Sequence, residues 1–275
     1  MGSFLAIGSG VFNWWVISLS IITTLFLQIL SNLANDFGDG IKGTDNSQRL
    51  GPQRAIQSGK ISPKEMKIAI IIFVLLSLIS GIWLIFSALG SNWHLGLLFL
   101  VLGIASIAAA IKYTVGKSNY GYSGFGDLFV FIFFGLLAVT GTYFLNTLSF
   151  KYTILLPAFA MGLLSSGVLN LNNMRDIDND LISGKNTLAS SLGIKKAKKY
   201  HLILVFGAMF SAIIFTRFNY TSPWNLIYLL SFPLFILQLK SIMKVEDKKI
   251  LDPFLKQLAL TTLLFTILFG IGLIL

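Results

Sequence analysis

Residues Val11–Asp45 read VFNWWVISLSIITTLFLQILSNLANDFGDGIKGTD, an apolar stretch long enough to cross a bilayer that runs into a cluster of aspartate, asparagine and glycine. A helix rises about 1.5 Å per residue, so about 20 residues cross the ~30 Å hydrocarbon layer. Carboxylates beside that layer are costly unless water, a metal or a cationic partner receives them. A second stretch of the same kind, NNMRDIDND, spans Asn172–Asp180 at the end of another apolar run.

The rest of the chain has the same character. It is 55% hydrophobic and 12% charged with a mean hydropathy of +0.79, against roughly 25% charged residues in ordinary soluble domains. The chain is therefore read as an all-α, polytopic membrane bundle forming one transmembrane domain over residues 1–275. Eight complete spans are expected near 11–36, 66–88, 93–111, 125–146, 152–173, 200–217, 224–240 and 255–275. The absence of cysteine excludes disulfides, thiolate metal sites and a cysteine nucleophile. The two histidines, His94 and His201, lie beside apolar stretches and are read as interfacial or packing residues.

The links between spans alternate in character. Those near 89–92, 147–151 and 218–223 are short and nearly uncharged, whereas 37–65, 112–124, 174–199 and 241–254 are long and basic. Of the 21 basic residues, 19 fall on the second side, leaving Lys151 and Arg217 opposite. The positive-inside rule makes the long loops cytoplasmic. The net charge of +10 lies along that face, where topology and anionic lipid headgroups account for it without nucleic acid. All eleven acidic residues share it, so both clusters sit in cationic surroundings suited to a polyanionic substrate.

If the first span continues helically, Gln28, Asn32, Asn35 or Asp36, and Asp39 share one face at spacings of three and four. Gly38, Gly40 and Gly43 argue against continued helix, which makes Asp45 a residue reaching back from a turn. In the second cluster Asp176 and Asp180 are four apart and face one way, with Asn172 and Asn173 one turn earlier. Paired carboxylates with amide neighbours suit hard, oxygen-seeking cations, and Mg²⁺ in particular bridges a few carboxylates to substrate phosphates. The plainer alternative, charges that only solvate helix ends, is weakened by the recurrence of the cluster on the same face.

With GPQRAIQSGKIS (residues 51–62), YTVGKSNYGYSGFGDLFVF (113–131) and NNMRDIDNDLISGKNTLASSLG (172–193), the two clusters resemble the UbiA superfamily of intramembrane prenyltransferases. The middle stretch points to its naphthoate-prenylating branch. The likeness runs from residue 2 onward and implies a nine-span fold, with the apolar stub at residues 2–9 as the end of a first helix. It also implies a multi-pass protein of the cell inner membrane with its active site at the cytoplasmic face.

By the same resemblance, two Mg²⁺ ions hold the diphosphate of a polyprenyl donor, with Asn35, Asp39, Asp45, Asp176 and Asp180 as ligands. The common pattern places a third residue eight beyond Asn35; here that is Gly43, and its role passes to Asp45. Asp36, Asp39, Asp176, Asp180 and Lys185 form the implied catalytic set. Asn32, Arg54, Lys112, Tyr113, Lys117, Tyr122, Asn172, Asn173 and Arg175 are the implied substrate contacts, while Tyr113, Tyr120 and Tyr122 are open to two readings, π faces for an allylic cation and an interfacial aromatic belt. The implied reaction transfers the polyprenyl group to 1,4-dihydroxy-2-naphthoate with loss of CO₂ and a proton, giving demethylmenaquinol. A prenyltransferase using 4-hydroxybenzoate, homogentisate or haem, and a transporter of a phosphorylated anion, are the alternatives. The apolar DLFVFIFFGLLAVTGTYF stretch (127–144) is open to two readings, a tunnel for the isoprenoid and ordinary helix packing. Asp127 is equally open, between that site and a first-turn acid.

Overall fold

A computed structural model describes residues 1–45, 50–116 and 119–275. Among these the protein is 81% helical with no strand, and eight helical stretches are long and apolar enough to span a membrane. The chain divides into two compact units, one of residues 13–126 and 178–187, the other of residues 1–12, 127–177 and 188–275.

The first unit is built on three long antiparallel helices, α2 (Trp14–Lys42), α3 (Pro63–Leu89) and α4 (Trp93–Lys112), which pack on one another. Each starts on a cap written in the sequence. Asn13 and Asn92 accept from the backbone N–H of Trp15 and Leu95, and Ser62 with Glu65 forms a capping box ahead of Pro63. At the end away from Asp39, Trp15 and Trp83 meet edge to face with ring centroids 5.5 Å apart, and Trp93 is exposed. Tryptophans so placed mark a membrane–water interface. Ile71, Leu75, Ile79, Ile82 and Phe86 stand exposed along α3 at spacings of three and four, the stripe that lipid covers.

In the second unit a short helix α1 (Gly2–Gly8) packs on α6 (Ala138–Thr147) and α11 (Asp252–Ile274). The span expected at 125–146 is α5 (Gly126–Val130), a π-helical segment Phe131–Leu137 and α6. There Gly135 lies against Gly162 so closely that a Cβ on it would stand 2.6 Å from the Gly162 nitrogen. The π segment and α9 (Leu188–Phe218) both pack on α7 (Leu155–Arg175), whose Leu164, Leu171 and Met174 are fully buried. Thus the packing reading holds for Gly135, whose lack of a side chain is what lets the two segments approach. α8 (Ile177–Ile182) follows α7, and α10 (Phe232–Lys244) is preceded by a 3₁₀ segment, Pro223–Ser231.

Expected and observed spans differ most at α9, which begins at Leu188 rather than near 200. It is interrupted at Gly193 (φ 70°, ψ 161°), then carries IKKAKKYH as helix. Exposed lysines at 195, 196 and 199 reach solvent on long aliphatic stems, so a basic segment extends a membrane helix without burying charge. His201 is fully buried in this helix and His94 stacks on Trp93 with centroids 3.5 Å apart, the packing and interfacial roles expected of them.

Candidate active site

The glycines of the first cluster do not break the helix. α2 runs through Gly38 and Gly40 to Lys42 and ends at Gly43, whose φ of 71° is the left-handed conformation that favours glycine at a helix C-terminus. Gly38 is there for contact instead: a Cβ would stand 2.6 Å from that of Thr114, whose hydroxyl donates to the Ala34 carbonyl at 2.8 Å. Gly40 faces Ile56 in the same way. The chain then doubles back as expected of Asp45, with the Thr44 and Asp45 amides donating to the Asp39 carbonyl at 3.0 and 3.4 Å.

This turn gathers the acids of the first cluster with cations from distant sequence. Asp39 is 2% exposed; its Oδ2 pairs with Lys185 Nζ at 3.3 Å and its Oδ1 accepts from the Tyr122 hydroxyl at 2.7 Å. Having spent its proton on Asp39, the Tyr122 oxygen accepts from Thr44 Oγ1 at 2.5 Å. Arg54 bridges two acids, through NH1 to Asp36 and through Nε to Asp45 at 3.5 Å. With its amide nitrogen turned to Asp39 Oδ2 (3.3 Å), Asn35 accepts from Arg54 NH2 at 3.0 Å. The segment from the second cluster is clipped on by three contacts. Asn179 Nδ2 donates to the Thr44 carbonyl at 2.7 Å, the Asn186 amide to the Tyr122 carbonyl at 3.2 Å, and Ser123 pairs with Asn186 as an isolated parallel bridge.

Electrostatics keep the cations charged. Burial alone lowers the pKa of Lys185, but Asp39, then Asp180 and Tyr122, more than offset it and hold the ammonium above the ordinary lysine value. Burial also acts against Arg54, and Asp36, Asp45 and Asp39 together raise it. The Tyr122 hydroxyl is pushed up by burial and then by Asp39, so it stays a donor. Ammonium groups flank its ring, Lys42 at 4.0 Å and Lys185 at 5.3 Å from the centroid.

The second cluster departs from one continuous helix. α7 ends at Arg175 and is capped by Asp176, whose φ of −97° and ψ of 9° lie in the sparsely populated bridge region, and α8 starts afresh with Asp178 and Asp180 in its first turn. Acids there interact favourably with the helix N-terminus. In the second unit Asp176 is gripped at both oxygens by its neighbour, Arg175 Nε to Oδ1 at 2.9 Å and NH2 to Oδ2 at 2.7 Å. Arg175 NH2 also donates to Asn172 Oδ1 at 2.8 Å, and NH1 to Asp252.

Of the site residues implied by the sequence, the substrate contacts Tyr122 and Arg54, the catalytic Lys185 and the metal ligand Asn35 meet around Asp36, Asp39 and Asp45 in the first unit, and the substrate contacts Asn172 and Arg175 meet at Asp176 in the second. Tyr113 and Tyr120 pack edge to face at 5.4 Å, with the Tyr120 hydroxyl donating to the Ala109 carbonyl at 2.7 Å. Lys112 is exposed in the last turn of α4 and Asn32 is exposed on α2; among the described residues neither joins these contacts. Lys117 lies outside the described residues. Asp127 is buried beside Tyr200, and Ser166 donates to its backbone carbonyl at 3.1 Å. Sequence reasoning missed Thr44, Asn179 and Asp252. Asn179 was legible as the amide within DIDND, but Asp252 carried only the ordinary signal of an acid opening a helix.

Among the described residues no three histidine or acidic side chains form a ready-made metal cage. The donors in each unit are nonetheless all oxygen, and Asn179 Oδ1 in the first unit and Asn173 Oδ1 in the second are each buried with no hydrogen-bond partner among the described residues. Such a set suits a hard cation that completes its shell with phosphate oxygens and water.

The chain matches the UbiA prenyltransferase family over residues 1–273. It belongs to that family. A 1,4-dihydroxy-2-naphthoate octaprenyltransferase of Haemophilus influenzae is 45% identical over 263 residues, covering 96% of this chain and 85% of its own. The Escherichia coli protein of the same name is 42% identical over 275 residues, 100% of this chain and 89% of its own, and that of Mycobacterium leprae 32% over 255 residues, 92% and 83%.

Proposed function

We propose that this protein transfers a polyprenyl group from polyprenyl diphosphate to 1,4-dihydroxy-2-naphthoate with decarboxylation, at the cytoplasmic face of the inner membrane. The observation that carries this reading is the arrangement at Asp39: acids held by the Tyr122 hydroxyl and by Lys185 and Arg54, two cations that a diphosphate would draw away from the carboxylates. The names of the 42–45% identical relatives support the acceptor.

Asn35, Asp39, Asp45 and Asp180 in one unit, and Asp176 in the other, are the oxygen ligands proposed for two Mg²⁺ ions, each unit taken by itself. When bound, the metal would neutralise the donor diphosphate and stabilise it as a leaving group. Arg54 and Lys185 add fixed positive charge toward the same oxygens. The donor's C–O bond breaks with its electron pair leaving on diphosphate, and the allylic carbon bonds to the ring carbon that bears the carboxylate. The pair of the C–CO₂ bond then returns to the ring, releasing CO₂ and restoring aromaticity; a carboxyl proton, if present, leaves with it. Tyr122 keeps Asp39 oriented by donating to it and keeps Lys185 in place through its ring.

Asp39→Ala and Asp176→Ala are each expected to abolish prenylated product, measured as initial rate in membranes containing equal amounts of inserted protein. A wild-type rate in either variant would sink the metal assignment.

A further inference from the structure

Asp252 is the first residue of α11, a place where a carboxylate ordinarily does no more than interact with the helix N-terminus. Here it does something else. Its Oδ1 accepts from NH1 of Arg175, 77 residues away in sequence, whose guanidinium is 3% exposed. That guanidinium carries five N–H donors, and the structure uses four in different directions: two on the Asp176 carboxylate, one on Asn172 and one on Asp252. The bidentate grip fixes the plane of Asp176, whose backbone is also tied, its amide donating to the Asn172 carbonyl at 3.2 Å. What keeps the guanidinium itself from turning is Asp252 on one side and Asn172 on the other.

We propose that Asp252 is a positioning residue for the reaction, setting the orientation of the Asp176 carboxylate through Arg175. The proposal rests on Asp176 serving the diphosphate–metal site, as argued above. A guanidinium shared between two carboxylates also leaves Asp176 less than fully neutralised, so it stays available to a cation. Asp252 thereby ties the start of the last span to the second aspartate cluster within one unit.

The test uses the full chain in lipid nanodiscs and two readouts: turnover, and the Mg²⁺ concentration that half-maximally protects the protein against heat in the presence of inorganic diphosphate. Asp252→Asn should raise that concentration about tenfold and lower turnover to a similar extent, the range seen when an outer-shell partner of a ligand is removed. Asp252→Glu should return both to within about threefold of wild type. In an Asp176→Asn background, Asp252→Asn should add no further rise. An unchanged Mg²⁺ requirement in Asp252→Asn, or the same rise surviving without Asp176, would overturn the proposal. If Asp252→Asn does not fold, Arg175→Lys decides: an ammonium cannot hold Asp176 and Asp252 together, so an unchanged Mg²⁺ requirement there overturns it as well. A wild-type protein that Mg²⁺ and diphosphate stabilise, yet that makes no prenylated naphthol, would refute the acceptor chemistry alone.

Discussion

At the scale of single residues, Tyr122 shows how far side-chain chemistry can be read before geometry is known. Its sequence context suggested a π face for a carbocation; the structure has Lys42 and Lys185 flanking that ring and Asp39 and Thr44 on its hydroxyl. A hydrogen bond to a charged group contributes about 1.5–3 kcal/mol. Tyr122→Phe keeps the ring and loses the bond, so turnover should fall about tenfold or more; Tyr122→Leu should fall further, and an unchanged rate in the Phe variant would rule out a role for the hydroxyl. Lys185 yields a pH test. Its folded pKa is raised above that of the unfolded chain, so its stabilisation is complete below about pH 10.4 and fades only as pH climbs through the folded value. The melting-temperature gap between wild type and Lys185→Met should stay constant from about pH 7 to 9; a gap that closes in that window would contradict the pairing with Asp39.

At the scale of elements, the spans were legible because length and hydropathy decide them, and their caps because Asn13, Ser62 and Asn92 stand where a helix needs acceptors. The path of the chain at Gly38 and Gly40 was not. Glycine signals both helix breaking and close approach, and only the position of Thr114, far away in sequence, decides between them. The same holds for the second cluster, where a four-residue spacing suggested one helix but Arg175 capturing Asp176 ends α7 one residue before α8 begins. Gly38→Val should therefore lower thermal stability in detergent by about 1–3 kcal/mol through overpacking against Thr114. No loss in this variant would mean that α2 and the Thr114 turn are not in contact.

At the scale of the whole molecule, charge distribution supplies the proposed orientation, and the lack of cysteine makes it testable. Single cysteines at Ser91 and Lys151 should react with an impermeant maleimide in intact cells, whereas Lys60→Cys and Lys249→Cys should react only after permeabilisation; the reverse pattern would invert the proposed topology. The aspartate-rich segments stood out in the sequence as candidates for a diphosphate site because two clusters that charge counting places on one membrane face have few other uses. Their internal neutralisation by Lys185, Arg54 and Arg175 was not, since each pairing depends on tertiary packing. The central claim is tested most directly by incubating membranes containing this protein with 1,4-dihydroxy-2-naphthoate labelled in its carboxyl carbon, a polyprenyl diphosphate and Mg²⁺. Labelled CO₂ and prenylated naphthol should appear in equal amounts, and both should vanish when Mg²⁺ is chelated. Product that retains the label, metal-independent product, or none where a control prenyltransferase is active, would contradict it.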